Sequence, residues 1–203
     1  MTMDNNRPAD DSRPRILIGV TGSVDAMQLP TYIRAIRAGM DCSLSVIFTP
    51  DATNFVNVDS IGLIVERVIS GESPKDWETD RPGRIAAEHD LMIVMPATAN
   101  TLAAAAQGTS QNRLTMMFLV AKFPIVFFPV MGPSMWDKPV VRRNVAQMRE
   151  DGHDVVEPTW KEQYEPHYRR MYGHYSLPEP DQVLAIIKAK LEISEAGTRR
   201  SDS

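Results

Sequence analysis

The 203-residue sequence contains one cysteine and four histidines, which leaves few side chains for disulfide, metal or acid–base chemistry. A lone Cys42 cannot form an internal disulfide and is too little for a cysteine-rich zinc site. We interpret Cys42, which precedes an apolar run, as a small buried residue, and we predict no metal site. The acid–base candidates are therefore few: His89, His153, His167 and His174.

An excess of positive charge and a long apolar run are also absent. The chain carries 22 Lys and Arg against 26 Asp and Glu, a net charge of −4, and this disfavours binding to nucleic acid through a cationic surface. Prolines interrupt the longest apolar stretches, which are shorter than the roughly 20 residues that span a bilayer. The polar first fifteen residues do not resemble a signal peptide. We therefore expect a cytoplasmic protein with no nucleic-acid partner and no membrane attachment.

The composition is that of one soluble domain. Hydrophobic residues make up 43% of the chain and charged residues 24%, which is enough apolar material for a core. We predict disordered tails at residues 1–14 and 196–203 and a single domain over 15–195.

Short apolar runs alternate with helical segments along that domain. Continuous runs such as Arg15–Val20 and Ser43–Phe48 are typical of strands buried on both faces of a parallel sheet. Helices are predicted between them, including one that starts at Pro82. This alternation predicts a single-domain, doubly wound α/β fold with a parallel sheet. Residues 159–176 are rich in Tyr, Arg and His without clean periodicity, and we interpret them as a long functional loop or flap.

Three loops that follow predicted strands carry hydroxyl or small residues just before a helix. They are Thr21–Ser23, Thr49–Asp51 and Pro96–Thr101. Each loop alone is compatible with ordinary helix capping, but three at strand ends favour a phosphorylated ligand, because backbone N–H groups at helix N-termini bind anions. Neither a GxGxxG nor a GxxxxGK[ST] motif is present, so a mononucleotide such as FMN fits better than a dinucleotide or a nucleoside triphosphate.

Two motifs resemble those of the homo-oligomeric flavin-containing cysteine decarboxylases. Pro96–Thr101 (PATANT) is similar to the PASANT motif of that family, and Pro129–Trp136 (PVMGPSMW) is similar to its PxMNxxMW motif. The family includes phosphopantothenoylcysteine decarboxylase and the epidermin-type peptidyl-cysteine decarboxylases. Further similarity runs in order from about residue 15 to residue 156.

The resemblance implies a flavodoxin-like, FMN-binding subunit that assembles as a homotrimer or as a dodecamer of four trimers. It implies oxidative decarboxylation of a C-terminal cysteine, which gives an enethiol and reduced FMN, and a substrate clamp at residues 159–176. The residues implied to contact FMN are Gly22, Ser23, Val24, Thr49, Phe55, Pro96, Ala97, Thr98, Asn100 and Met131. The residues implied to contact the substrate are Trp136, Tyr172, Gly173 and His174.

The sequence departs from the family pattern at three positions. The family places a catalytic histidine fourteen residues before the proline of PASANT, and that position is Pro82 here. The asparagine of PxMNxxMW is Gly132, and the aspartate of the family's GxxDN is Gln111. No catalytic residue is therefore assigned. The candidates are His89 on the same predicted helix, His174 in the clamp and Asp80 just before Pro82, with Arg169 and Arg170 as partners for a terminal carboxylate.

Three functions stay open from the sequence. The first is FMN-dependent decarboxylation of the C-terminal cysteine of a ribosomally made precursor peptide. The glycine at position 132 favours this peptide substrate over phosphopantothenoylcysteine. The second is an FMN-binding regulatory or scaffolding protein, related to phosphopantothenoylcysteine decarboxylase, that has lost the catalytic histidine. The third is a relative of prenyl-flavin synthases.

Overall fold

A six-stranded parallel sheet forms the centre of the protein. The computed structural model describes residues 12–73, 75 and 79–201. The sheet strands are β1 (Arg15–Val20), β2 (Ser43–Phe48), β3 (Arg67–Ile69), β4 (Leu91–Ala97), β5 (Ile125–Pro129) and β6 (Asp154–Val155). Their spatial order is β3-β2-β1-β4-β5-β6, and every neighbouring pair is parallel.

Helices cover both faces of this sheet. They are α1 (Leu29–Gly39), α2 (Val58–Gly62), α3 (Pro82–Ala87), α4 (Ala99–Gln107), α5 (Arg113–Val120), α6 (Pro133–Trp136), α7 (Pro139–Glu150) and α8 (Pro180–Ser201). Buried side chains of α1, α2 and α8 pack on one face, and those of α3 to α7 pack on the other. Successive residues of β1 point to opposite faces, so that Ile16 and Ile18 join the first cluster while Leu17 joins the second.

The doubly wound, flavodoxin-like α/β class expected from the sequence is confirmed. The strand order 3-2-1-4-5-6 differs from the order 2-1-3-4-5 of flavodoxin itself, but the two sheets follow the same rule for ligands. The chain winds outward in one direction from β1 to β3 and in the other from β4 to β6. The crevice at the carboxyl ends of β1 and β4 is therefore the topological switch point, where ligands bind in open sheets.

Residues 159–176 form a β-hairpin instead of the irregular loop predicted from the sequence. Strand β7 (Thr159–Glu165) pairs with β8 (Arg170–Ser176) in antiparallel register, with Trp160 opposite Tyr175. Four of the seven residues of β7 and the first three of β8 are exposed, and burial increases only toward Ser176 at the end of β8. The alternation of apolar and polar residues that reveals a half-buried strand is therefore missing from this segment.

The structure describes part of each segment that the sequence analysis predicted as a tail, and the disorder of these tails stays a prediction. Helix α8 continues to Ser201, although the sequence predicted a disordered tail from Ala196, because residues such as Ala and Arg favour helix and no proline interrupts the segment. Residues 202–203 and 1–11 lie outside the described residues. Ser43 donates its amide hydrogen to the carbonyl oxygen of Pro14, which ties residues just before β1 to the sheet. Across the described ranges, no helix has the length and apolarity needed to cross a membrane.

Candidate functional site

A cavity of about 540 Å³ lies at the switch point of the sheet. This volume is within the range of roughly 300–1,000 Å³ that is usual for small-molecule and cofactor sites. The loops after β1, β2, β4 and β5 and the start of α5 contribute to its wall. The lining residues are Thr21, Gly22, Ser23, Thr49, Pro50, Asp51, Thr98, Ala99, Asn100, Thr101, Gln111, Asn112, Thr115, Val130, Met131 and Met135.

The Thr21 hydroxyl joins the two strands at the switch point. It donates to the carbonyl oxygen of Pro96 at 2.7 Å and accepts from the amide of Thr98 at 3.2 Å. Thr21 is 2% exposed, so these bonds are shielded from water. The loop after β1 and the loop after β4 are therefore held in one fixed arrangement along the wall of the cavity.

Two helices begin at the cavity wall with capped N-termini. The Thr98 hydroxyl accepts from the amide of Thr101 and starts α4, whose first residues line the cavity. Asn112 and Thr115 form a reciprocal capping box at the start of α5. The partial positive charge of both N-termini therefore favours a negatively charged group in this cavity.

The cavity wall has features that fit a phosphorylated flavin. The Thr49 hydroxyl is buried and has no hydrogen-bond partner in the part of the chain that the structure describes, so it is available to a ligand in the cavity that it lines. A Cβ at Gly22 would lie 2.7 Å from the Cβ of Asp51, so only glycine lets these two loops approach so closely. Among the described lining residues there is no Lys or Arg, which leaves hydroxyl and backbone N–H groups to bind an anion.

The structure brings six of the ten predicted FMN contacts to the cavity wall. These six are Gly22, Ser23, Thr49, Thr98, Asn100 and Met131. Pro96 and Ala97 are buried in β4 just behind the wall, while Val24 and Phe55 are exposed beside it, at 54% and 40%. Gln111 and Thr115 also line the cavity, although the sequence analysis did not assign them. The Asn112–Thr115 capping pattern, which marks a helix start, is the signal that would have located them.

The predicted substrate contacts are distributed between the core and the hairpin. Trp136 is 1% exposed; the Tyr175 ring lies 6.0 Å away, and the Arg142 guanidinium lies 4.5 Å from the centre of the indole. Gly173 lies directly beneath the Trp160 ring, where a Cβ would be 1.9 Å from an indole carbon. The roles of Trp136 and Gly173 toward a substrate stay predictions.

The other two predicted substrate contacts lie on β8. Tyr172 is exposed, and the Nδ1 atom of His174 is buried without a hydrogen-bond partner among the residues that the structure describes. The backbone of the neighbouring Tyr175 exchanges two hydrogen bonds of 3.0 Å with Met131, which lines the cavity. This end of β8 is therefore attached to the cavity wall.

The remaining acid–base candidates lie outside the cavity wall. His89 is 7% exposed, and its Nδ1 lies 2.7 Å from the carbonyl oxygen of Ile85, which makes it a hydrogen-bonded core histidine. Burial lowers the pKa of this imidazole. The Asp80 carboxylate pairs with the guanidinium groups of Arg67 and Arg113. Burial also raises the pKa of the Cys42 thiol to about 11, as befits the structural residue predicted from the sequence.

Comparisons with known proteins agree with this architecture. A family model described as Flavoprotein matches residues 4–192. Mersacidin decarboxylase from Bacillus sp. (strain HIL-Y85/54728) is 30% identical over 176 residues, which cover 86% of this chain and 89% of that protein. Phosphopantothenoylcysteine decarboxylase from Mus musculus is 28% identical over 155 residues, which cover 72% of this chain and 74% of the mouse protein.

Solved structures of an epidermin enzyme are also similar. The epidermin biosynthesis protein EpiD from Staphylococcus aureus superimposes with a TM-score of 0.77 at 26% identity, covering 85% of this chain and 99% of that one. A structure of EpiD with the substrate peptide DSYTC has a TM-score of 0.77 at 24% identity, covering 85% of this chain and 97% of that one, and it supports the fold alone.

Removal of the Thr21 hydroxyl tests whether it holds the switch point together. We expect Thr21→Val to lower the free energy of unfolding by about 1–3 kcal/mol, because two buried polar groups lose their partner. Thr53→Val is the matched control, since the Thr53 hydroxyl also donates to a proline carbonyl oxygen at 2.7 Å but is exposed. Its effect is expected to stay within about 0.5 kcal/mol. Equal losses in the two variants, measured by chemical denaturation, would contradict this role.

Because His89 is buried, we expect the free energy of unfolding to fall on mild acidification. Its folded-state pKa is lowered, so the unfolded chain takes up a proton near pH 6.5 that the folded chain does not. The contribution of His89 to the free energy of unfolding is thus complete above that pH and is lost as the pH falls toward 5. The free energy of unfolding falls by at most about 1.4 kcal/mol per pH unit through this group. Denaturation between pH 7 and 5 measures this slope. His89→Gln should flatten it, whereas the same change at exposed His167 should not.

Proposed function

The chain belongs to the Flavoprotein family, and on this premise we propose that it binds FMN and oxidatively decarboxylates the C-terminal cysteine of a ribosomally made precursor peptide. The relatives support a flavin-dependent cysteine decarboxylase. The choice of a peptide substrate rests on the mersacidin and epidermin relatives and on the hairpin that extends from the cavity.

The observation that carries the proposal is the hydroxyl-lined cavity at the switch point. The α4 and α5 N-termini and the hydroxyls of Ser23, Thr49 and Thr98 would hold the FMN phosphate without a basic side chain. The unpartnered Thr49 hydroxyl fits this role best. Bound FMN supplies the two-electron oxidant, and the protein supplies binding, orientation and exclusion of water.

The reaction balances without a further co-reactant. The terminal cysteine residue loses two electrons and two protons to FMN, its carbon–carboxylate bond breaks with release of CO2, and the peptide ends in an enethiol. Asp51 is the ionisable side chain among the described lining residues. His174 lies next to the residue that bonds the hairpin to the cavity wall, and its buried Nδ1 has no hydrogen-bond partner among the described residues. Within this proposal His174 contacts the substrate and accepts a proton from it.

Incubation with cysteine-terminated peptides tests this function. The purified protein should carry FMN, and the peptide should lose about 46 Da, the mass of CO2 and two hydrogens. The same peptide ending in serine should stay unchanged, because the chemistry requires the thiol. We expect His174→Gln to lower the rate about 100-fold or more while FMN content stays the same. Mass spectrometry and visible absorbance report the two quantities.

A second function is favoured by Pro82, which is buried at the first position of α3 and cannot transfer a proton. In this reading the chain binds FMN and acts as a regulatory or scaffolding protein. A protein loaded with FMN that leaves every cysteine peptide unchanged would favour it over the enzyme. Chains without FMN would contradict both functions.

We also propose that the chain forms a homotrimer or a dodecamer of four trimers. Apolar side chains next to the cavity are exposed to solvent: Val24, Met27, Phe55 and Met135. Exposed apolar side chains grouped around a site are typical of a surface that a partner covers. Light scattering should therefore report a native mass of three chains or a multiple of three, and a monomer would contradict this assembly.

A further inference from the structure

The β7–β8 hairpin carries, from its base to its tip, apolar side chains that the described chain leaves about half exposed. These side chains are between 41% and 61% exposed, and they are Trp160, Tyr164, Tyr168, Met171 and Tyr172. An isolated two-stranded hairpin is at best marginally stable in water, so this surface is expected to gain a partner when the protein works.

Two guanidinium groups at the tip of the hairpin have no acidic partner. Arg169 and Arg170 are exposed, and within the described part of the chain neither forms an ion pair; Arg170 lies 5.8 Å from the centre of the Tyr168 ring. Lys161, nearer the base, is by contrast paired with Glu179 at 2.8 Å. Glu165 stands opposite Arg170 in the hairpin register, but its carboxylate accepts from the His167 amide. In a chain of net charge −4, the tip therefore offers unneutralised cations.

The base of the hairpin is fixed to the cavity by two contacts. The Tyr175 backbone exchanges hydrogen bonds with Met131 on the cavity wall, and the buried Ser176 hydroxyl donates to Asp25 at 3.1 Å. The N–H and C=O groups of Tyr175 that bond to Met131 lie on the edge of β8 that faces away from β7. By the alternation of antiparallel pairs, the backbone groups of Met171 and Gly173 face the same edge. No described strand pairs with that edge beyond Met131, so an extended peptide has room to lie along β8.

The length of β8 determines which residue of such a peptide would lie beside Arg169 and Arg170 at the hairpin tip. Arg170 precedes Tyr175 by five residues, which is about 17 Å at roughly 3.4 Å per residue. A peptide whose last residue enters the cavity covers the same distance with about five residues, and one or two more span the cavity mouth. In this arrangement the guanidinium groups meet a residue well before the C-terminus of the peptide. Their pairing with the terminal carboxylate, expected from the sequence, stays an alternative prediction.

We propose that the hairpin tip is a separate recognition site that selects an acidic residue about five to seven positions before the terminal cysteine of the peptide. This inference rests on the proposed function for its substrate. The carboxylate pairs with Arg169 and Arg170, while the exposed rings contact the intervening residues. Precursor peptides with acidic residues in that window are bound in preference to neutral ones.

A position scan with synthetic peptides tests the proposal. The peptides span the hairpin, end in serine so that they are not consumed, and carry one glutamate at successive positions in a neutral sequence. Fluorescence anisotropy with the full FMN-loaded protein measures their affinity. We expect glutamate in the proposed window to tighten binding about three- to tenfold over glutamine, and we expect salt to weaken this preference.

Matched variants separate the tip from general charge effects. Arg169→Gln combined with Arg170→Gln should abolish the preference and leave binding of the neutral peptide unchanged. Arg34→Gln combined with Arg143→Gln removes the same charge from exposed positions on α1 and α7 and should keep the preference. A preference that survives the tip variant, or equal affinity for all glutamate positions, overturns the proposal. So does a tip variant that changes native mass but not peptide preference, because the tip would then be a subunit contact.

The same peptides ending in cysteine distinguish this inference from the proposed function. Loss of about 46 Da from neutral and acidic peptides alike, with no difference in KM, contradicts the tip site and keeps the decarboxylase. The expected result is a lower KM for acidic peptides with an unchanged kcat, because the tip lies far from the reacting atoms. An acidic preference in binding without any mass change supports the tip site and contradicts the decarboxylase.

Discussion

The Thr21 hydroxyl is the contact on which the geometry of the cavity depends. Its two partners, the carbonyl of Pro96 and the amide of Thr98, lie 75 and 77 residues away in sequence. One buried side chain thus fixes the end of β1 against the end of β4, where the sheet reverses its winding. Since Thr98 is also the N-cap of α4, the direction of that helix at the cavity follows from the same contact. The close approach of Gly22 to Asp51 then brings in the loop after β2.

The electrostatics of the cavity follow from a polar wall that has one carboxylate and no basic side chain among its described residues. Asp51 is the charged side chain among the described lining residues, so an anion is stabilised by hydroxyl groups and helix N-termini. Among the described lining residues, the carboxylate of a bound terminal cysteine would find no guanidinium or ammonium group. A strong ion pair would stabilise that carboxylate before the reaction and would be lost when CO2 leaves. The absence of a cation at the described wall is therefore consistent with decarboxylation, and the proposed binding by the hairpin cations would not oppose it.

The sequence predicts the parts of the fold that local burial controls. Strands β1 and β2 have the predicted boundaries, because each is a short segment rich in buried apolar residues that ends at a polar loop. The hairpin was not predicted, since its exposed residues leave no pattern. The three loops at the cavity were predicted from strand-end chemistry, but the bond from Thr21 to Pro96 was not, because local patterns do not show contacts between distant residues. The burial of Trp136 was not predicted either, because a four-residue helix is too short to show a periodic pattern.

Pro82 and Gly132 replace the family's histidine and asparagine without disturbing the fold. Proline suits the first position of α3, where its missing N–H has no partner to lose, and a Cβ at position 132 would meet nothing within 4 Å. Under the proposed function, proton transfer must then come from a group that a peptide can reach. His174 meets this requirement, because it lies on the strand whose free edge accommodates the peptide. Under that function, the hairpin that binds the peptide also carries the base. Peptide binding and proton transfer would therefore both depend on the β7–β8 hairpin.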